Sequence, residues 1–312
     1  ITWKRNQGGG LPLDIFATGG HILAGRTYAG LLLGSDSGLT WRDLGIEGRL
    51  PARTHRVWTA GWPDRSFDSN RVVAIVTLRD RDASDRLVVL ESNDGGEVWG
   101  IGQELDAFDP LAGGLDLQFV FDPEGEVRIP TGFLSGPDGL YVTENDGVTW
   151  DHVNGDLDIR ALAMQNTEQG VAITPQGIFR TDNGGETFTL VEQRGAGQDV
   201  LVGLDDAQPD LVGALFTPLN SRNWSAEISR DLGNSFDETA GPNAPRTMNA
   251  GAFWGDTSNV HAVSRFGIIQ HSADEARSFT LEVDSTDIFR ASVGFVEAEA
   301  DEEYIYLLGP GN

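Results

Sequence analysis

Along this chain, short apolar runs alternate with polar clusters rich in Gly, Asp, Asn, Ser and Thr. The runs include Gly30–Leu33, Leu87–Leu90, Gly139–Val142, Gly177–Phe179 and Gly267–Ile269. Each is followed by a polar cluster and then by a Trp or Phe. Apolar runs this short, bounded by turn residues, read as β-strands rather than helices. The pattern predicts an all-β chain of many short strands joined by tight turns.

Aligned on the aromatic, the polar clusters become one repeated eight-residue unit, S/T-x-D/N-x-G-x-T/S-W/F. Its six copies are Gly34–Trp41, Ser92–Trp99, Thr143–Trp150, Thr181–Phe188, Ser229–Phe236 and Ser272–Phe279. Gly34 replaces Ser in the first, Val98 replaces Thr in the second and Ala276 replaces Gly in the sixth. The third position holds Asp36, Asp94, Asn145, Asn183, Asp231 and Asp274. The last holds Trp41, Trp99, Trp150, Phe188, Phe236 and Phe279. An Asp or Asn side chain accepts hydrogen bonds from nearby backbone amides and closes the turn. A Gly two residues later takes a positive φ at little cost. The Thr or Ser favours the returning strand or bonds the turn. The aromatic opens that strand and buries a large apolar area between neighbouring sheets. The apolar run before each box then reads as the third strand of a sheet, and the aromatic opens the fourth.

This unit resembles the Asp-box (BNR) repeat. That family includes sialidases, some xyloglucan hydrolases, sortilin-type receptors and photosystem assembly factors of the Ycf48 type. The resemblance covers nearly the whole chain and implies a β-propeller. It leaves the function open, because one fold hosts many activities.

Successive box aromatics lie 38 to 58 residues apart, the length of one four-stranded blade with variable loops. Residues 1–312 are read as a single propeller domain. The start, Ile1-Thr2-Trp3, looks like the tail of a further box. The end carries two more strand-like runs, Ile288–Val296 and Tyr304–Leu308. The expectation is seven blades, the last closed by both termini, which removes free sheet edges. Six blades with terminal extensions is the alternative. No signal peptide is recognisable, and a chain opening on Ile is expected to have been processed or trimmed.

Charge changes the picture of the milieu. Asp and Glu number 48 against 22 Lys and Arg, a net charge of −26. Such self-repulsion destabilises a compact state in dilute buffer. At molar salt the Debye length falls to about 3 Å and the repulsion is screened. The composition resembles that of salt-adapted, haloarchaeal proteins. The setting expected is a high-salt organism, extracellular or cell-surface rather than cytoplasmic. With no basic patch, nucleic acid is not an expected partner. No apolar run is long enough for a membrane span. There is no Cys, so disulfides and thiolate metal sites are excluded. The five His show no ligand spacing, and neither a metal nor a cofactor is expected.

Counting 10 to 17 residues forward from each box aromatic, and from Trp3, reaches a charged residue where the next inner strand should start. In order these are Asp14, Arg53, Asp116, Arg160, Asp199, Arg246 and Arg290, with His55 and Arg56 close by. Resemblance to other propellers places these positions around the channel mouth, on the face opposite the boxes. Two readings are open. One is a ring of neighbouring salt bridges closing the channel. The other is an anion site centred on Arg246 and Arg290, where the alternation of sign breaks. Guanidinium forks suit carboxylate or phosphate.

Two functional classes remain. The first is a non-catalytic binding or assembly module, monomeric, whose partner is a protein or an anionic small molecule or glycan. The second is a sialidase-like glycoside hydrolase. The resemblance implies three arginines on the substrate carboxylate, a Tyr nucleophile paired with Glu, and an Asp acid/base. Arg128-Ile129-Pro130 matches that family's Arg-Ile-Pro motif but follows two boxes instead of preceding the first. None of the four Tyr (Tyr28, Tyr141, Tyr304, Tyr306) sits in a recognisable nucleophile motif. Xyloglucan hydrolases set two propellers around a cleft, and this chain has length for one. No catalytic residue is assigned. The binding module asks only for a rigid disc with a shaped face and is the expectation carried forward. Trp58, Trp62, Phe67, Trp224 and Trp254 are candidates for that face or for burial between blades.

Overall fold

The computed structural model describes residues 11–18, 21–27, 30–35, 39–46, 50, 53–63, 70–79, 84–111, 114–120, 130–193, 197–202, 212–216, 225–239, 248–254, 259–264, 268–274, 278, 280–284, 297–300 and 305–308. Every regular element among them is a strand. The first set is β1 (Leu11–Thr18), β2 (His21–Thr27), β3 (Gly30–Ser35) and β4 (Thr40–Asp43). The second is β5 (Arg53–Gly61), β6 (Val72–Arg79), β7 (Asp85–Ser92) and β8 (Gly100–Glu104). The third is β9 (Asp116–Val120), β10 (Thr131–Gly136), β11 (Gly139–Thr143) and β12 (Asp151–Asn154). Then come β13 (Ala161–Met164), β14 (Gly170–Thr174), β15 (Gly177–Thr181) and β16 (Thr189–Glu192). They are followed by β17 (Gly197–Val202), β18 (Val212–Phe216), β19 (Ser225–Ser229) and β20 (Asp237–Thr239). The last full set is β21 (Met248–Trp254), β22 (Asn259–Ser264), β23 (Ile268–Ser272) and β24 (Thr280–Asp284), and a pair closes the series, β25 (Glu297–Ala300) and β26 (Ile305–Leu308).

Each set of four is an antiparallel meander in chain order, the form of a propeller blade. The first two sets join into one sheet through a single bridge, Thr27 to Arg56. The chain separates into two compact units, one holding β1 to β12 and the other β13 to β26. In the first unit the opening strands β1, β5 and β9 lie side by side. In the second, β13, β17, β21 and β25 do the same. Within each unit the opening strands of the blades are therefore the inner ones.

The apolar runs are third strands: they fall in β3, β7, β11, β15 and β23. The fourth strand begins within one residue of the box aromatic. The polar β19 and the acidic β25 carry no such run, so hydrophobic pattern alone passes over them. Tyr304–Leu308 corresponds to β26, whereas residues 288–296 and the first ten lie outside the described residues. The pair β25–β26 forms a two-stranded antiparallel sheet by itself.

Two-residue alternation explains why blades read as continuous apolar runs. In β6 the seven residues Val72–Leu78 are all buried. Val72, Ala74, Val76 and Leu78 join one core cluster with Leu44, Trp62 and Trp99. Val73 and Ile75 join another with Trp58, Phe119 and Trp150. A blade's two faces thus feed two separate cores, so neither can be polar. Three box aromatics pack back toward the preceding blade. Trp99 shares a cluster with Leu44, Trp150 with Val73, and Phe236 packs on Val171 and Ile173.

In the second to fifth boxes, the four whose turns are described, two successive residues have positive φ. The second is always Gly: Gly96 (87°), Gly147 (80°), Gly185 (86°) and Gly233 (77°). The first is Gly95 (71°), Asp146 (59°), Gly184 (65°) or Leu232 (56°). Gly and Asp accept this left-handed geometry, whereas a Leu there costs about 1 kcal/mol or more. Leu232→Asn is therefore expected to raise stability by about 1 kcal/mol, read as a higher midpoint in urea with an unchanged slope.

Candidate functional site

The box is closed by side chains at its first and third positions acting together. Ser92 Oγ donates to Asp94 Oδ1 at 2.8 Å and accepts the Gly96 amide at 2.8 Å. Asp94 Oδ1 in turn accepts the Val98 amide at 2.9 Å. The same three bonds recur around Thr143, Asn145 and Thr149, and around Thr181, Asn183 and Thr187. They recur again at Ser229, Asp231 and Ser235. At the sixth box Ser272 donates to Asp274, which accepts Ser278 N at 2.8 Å. The first-position hydroxyls are buried, at 0–1% exposure for Ser92, Thr143, Thr181, Ser229 and Ser272. Sequence reading gave the turn to the Asp or Asn alone; burial of a hydroxyl that both donates and accepts is the missed half. In the first box Gly34 takes that place, and the Trp41 ring lies 3.2 Å from where its Cβ would be. Asp36 and Phe279 lie outside the described residues.

Where the third residue is Asp, the turn is anionic. Bonds from the Val98 amide, the Ser92 hydroxyl and the Glu97 amide hold the Asp94 carboxyl below the usual carboxylate range. Burial acts to raise Asp231, but bonds from Ser235, Ser229 and Asn234 outweigh it, and it too is lowered. Both folded values are depressed. The stability they contribute is complete above the unfolded carboxylate value of about 3.9 and is lost as pH falls through the folded value. Asn145 and Asn183 do not titrate. Acid is expected to release the Val98 and Ser235 amides to hydrogen exchange before those of Thr149 and Thr187. Loss of protection in the opposite order, followed residue by residue at falling pH, would refute this account.

Arginines tie successive boxes together. Arg71 donates to Glu91 (2.9 Å) and Asn93 (2.8 Å) beside the second box and to the Asp146 carbonyl (2.7 Å) of the third. Arg42 reaches Glu97 and the Gly95 carbonyl of the second box. Arg180 joins Asp182 to Asn234, in the fourth and fifth boxes. Gln103 in β8 adds a side-chain amide that mimics a strand partner. It accepts Trp150 N at 2.8 Å and donates to Trp150 O at 2.6 Å.

The predicted charged positions fall at the other end of the blades. In the second blade Arg53 opens β5 and pairs in register with Arg79, which pairs with Asp85 at the start of β7. The box follows the far end of β7. Asp14 lies within β1, Asp116 opens β9, Arg160 immediately precedes β13 and Asp199 lies within β17. Arg246 and Arg290 lie outside the described residues, as does Arg128. Asp14, Arg53 and Asp116 belong to one unit, Arg160 and Asp199 to the other. Arg160 is compensated locally, by Asp158 at 2.6 Å.

Near these positions Arg56 stands apart from seven other described arginines. Arg26, Arg42, Arg71, Arg79, Arg86, Arg160 and Arg180 each hold a carboxylate. Arg56, on inner strand β5, has no carboxylate partner among the described residues. Its Nε is buried without an acceptor, and its guanidinium lies over Trp58, 4.9 Å from the ring centroid. Trp58 is fixed from below. Its indole N–H donates to Thr77 Oγ1 at 2.8 Å, and Thr77 donates to the Pro110 carbonyl. The result is a half-buried cation on a rigid aromatic platform, an arrangement suited to an anion. Trp58 and Trp62 are both buried. Phe67 and Trp224 lie outside the described residues, and Trp254 ends β21.

The phenol of Tyr141 faces away from nucleophilic chemistry. It accepts the Ala107 amide at 2.9 Å and points at Asp106 Oδ1, 3.4 Å away. Burial pushes its pKa up, the reverse of activation. Phe108 and His152 pack on it, with ring centroids 5.0 and 4.9 Å away. Among the described residues no group of three His, Cys, Asp or Glu could hold a metal ion.

No protein-family model matches the chain. No curated protein matches it either. Solved structures do. The GH74 enzyme of Niastella koreensis superimposes with a TM-score of 0.69 at 13% identity, over 90% of this chain and 46% of that one. YCF48 from Cyanidioschyzon merolae gives 0.65 at 16% identity, over 97% of this chain and 94% of that one. YCF48 bound to a D1 peptide gives 0.64 at 16%, over 97% and 91%. The chain thus spans about half the length of the GH74 structure and nearly all of the YCF48 ones. These neighbours are β-propellers, and the fold of this chain is an all-β propeller of four-stranded antiparallel blades.

Proposed function

We propose that the chain is a non-catalytic Asp-box propeller that binds or assembles a protein partner, and that an anionic group of that partner sits at the inner-strand ends opposite the boxes. The observation that carries this reading is Arg56. A guanidinium with a buried, unsatisfied Nε and no carboxylate is costly in any protein. It is more conspicuous in a chain where carboxylates outnumber cations 48 to 22. Arg53 opens the same strand, three residues away. YCF48, one structure of which is bound to a D1 peptide, shares this fold over 97% of this chain, which supports a peptide-binding role. Arg246 and Arg290 extend the site in this proposal, and the acidity of the chain belongs to a high-salt milieu.

The test compares a Glu-rich peptide with its Gln counterpart by calorimetry, at low and at molar KCl. Arg56→Gln is expected to weaken the Glu-rich peptide about tenfold without lowering thermal stability, since it orphans no carboxylate. Equal binding of both peptides, or of both proteins, refutes the site. Turnover of a fluorogenic sialoside that disappears in Arg246→Ala or Arg290→Ala would replace it with the glycosidase reading.

A further inference from the structure

The outer edge of the second blade is unlike a normal sheet edge. Exposed edge strands recruit other chains, and proteins usually blunt them with charge, Pro or a bulge. In this chain the stretch Val98–Gln103 has no charged residue at all. Strand β8 bonds only to β7 in its sheet. Its Gly100, Ile101 and Gly102 are exposed, Ile101 at 40%, and Val98 just before it is 67% exposed. The end of the edge near Gln103 is already occupied, because the Gln103 amide takes up the Trp150 backbone. Among the described residues nothing pairs with the part before it.

Beside this part of the edge lies a groove of about 380 Å³, lined by Glu91, Asn93, Asp94, Val98 and the Gly100–Gly102 backbone. Gly100 and Gly102 lie on one face of β8 and form its floor. A Cβ at Gly102 would fall 2.5 Å from Glu91 Oε1, so the Glu91 carboxylate lies across this glycine face. Its other oxygen, Oε2, is held by Arg71 at 2.9 Å. Asp94 adds an anionic side chain at the turn.

We propose that this edge receives an extended segment of a partner protein in which Lys or Arg alternates with apolar residues. The partner strand would continue the sheet beyond β8. Its cationic side chains would lie along the glycine floor, with their methylene arms over bare backbone and their charges on Glu91 and Asp94. Its apolar residues would fall on the opposite face, with Ile101. Charge complementarity selects this occupant over a second copy, which would bring a net charge of −26 to an acidic groove. The edge is separate from the Arg56 site, at the other end and the outer side of the same blade.

The test is isotope-edited NMR of the full chain with a capped peptide of alternating Val and Lys, against the same peptide with Glu in place of Lys. Shifts confined to Glu91 and residues 98–104, for the Lys peptide alone, are expected. Gly100→Val should fill the groove without strain, since a Cβ there comes no closer than 3.9 Å to its nearest neighbour, the Glu91 carbonyl. It should weaken binding about tenfold with an unchanged melting temperature. Ile101→Lys, a second variant that leaves the floor intact, should do the same by placing a repelling charge on the edge. Equal binding of the two peptides, shifts elsewhere, or full affinity in both variants overturns the proposal. So does self-association that Ile101→Lys abolishes, which would make a second copy the occupant.

Discussion

Trp150→Ala is expected to cost about 3–5 kcal/mol of stability, the range for deleting a large aromatic from a closed core. Trp150 is 2% exposed and shares its cluster with Val73, Ile75 and Phe119. Those residues belong to the two blades it separates, so the cavity opens between sheets rather than within one. The sheets are covalently braced meanders that cannot collapse far into the space, which places the cost toward the upper end. The indole also donates to the Gly147 carbonyl at 3.0 Å, as Trp99 does to Gly96, and that cap on the turn is lost too. Phe236→Ala is the internal comparison. Phe236 holds the same box position, is only half-buried and has no N–H to cap its turn. It should cost about half as much. Urea unfolding of the two variants decides the matter. Equal losses would mean that the aromatic acts through local turn geometry and not through packing between blades.

The box legible in the sequence is therefore also the energetic unit of the fold. Its aromatic, its Asp or Asn and its Gly were readable because each has one physical task that few residue types perform. Third strands were readable for a related reason: both faces are buried, so the run is apolar without interruption. The strand β19, with Glu227 and two Ser, escapes that logic, as does β25 with its two Glu. Backbone pairing, with β18 and β20 for β19 and with β26 for β25, rather than side-chain chemistry defines such strands. Counting along the chain reached two inner-strand starts among the described residues, Arg53 and Asp116, and came within a few residues of three others, near Asp14, Arg160 and Asp199. What those charges do was not readable. The partner of Arg160 is Asp158, two residues away, whereas Arg56, three residues into the strand whose start was singled out, has no carboxylate among the described residues. A count along the chain locates a strand end, but ion pairing depends on rotamers and on neighbours brought in from other strands. The Arg71 and Arg180 ties between boxes are illegible for the same reason. Arg71 and the Asp146 carbonyl it holds are 75 residues apart in sequence.

Gly139→Ala is expected to be among the most damaging single substitutions in the chain, at about 4 kcal/mol or more. Gly30, Gly139 and Gly177 open the third strands of three blades, all at positive φ: 78°, 114° and 142°. The common backbone geometry explains why Gly recurs there, and by itself costs an L-residue about 1–2 kcal/mol. Gly139 carries a second constraint. A Cβ at this position would lie 1.9 Å from the Asn154 carbonyl oxygen and 2.9 Å from Gly155 Cα, both backbone atoms at the end of β12. Backbone of an adjacent strand cannot turn aside as a side chain does, so relief requires breaking the β11–β12 pairing near Leu140 and Asn154. At Gly30 the nearest atom to such a Cβ is Asp43 Oδ1, at an ordinary 3.7 Å. Gly30→Ala should therefore lose only the dihedral cost, about 1 kcal/mol. The difference between the two variants, measured under the same conditions, separates the cost of the backbone angle from that of the close approach. If both lose the same amount, β12 yields freely and the outer strand contributes little to holding the blade.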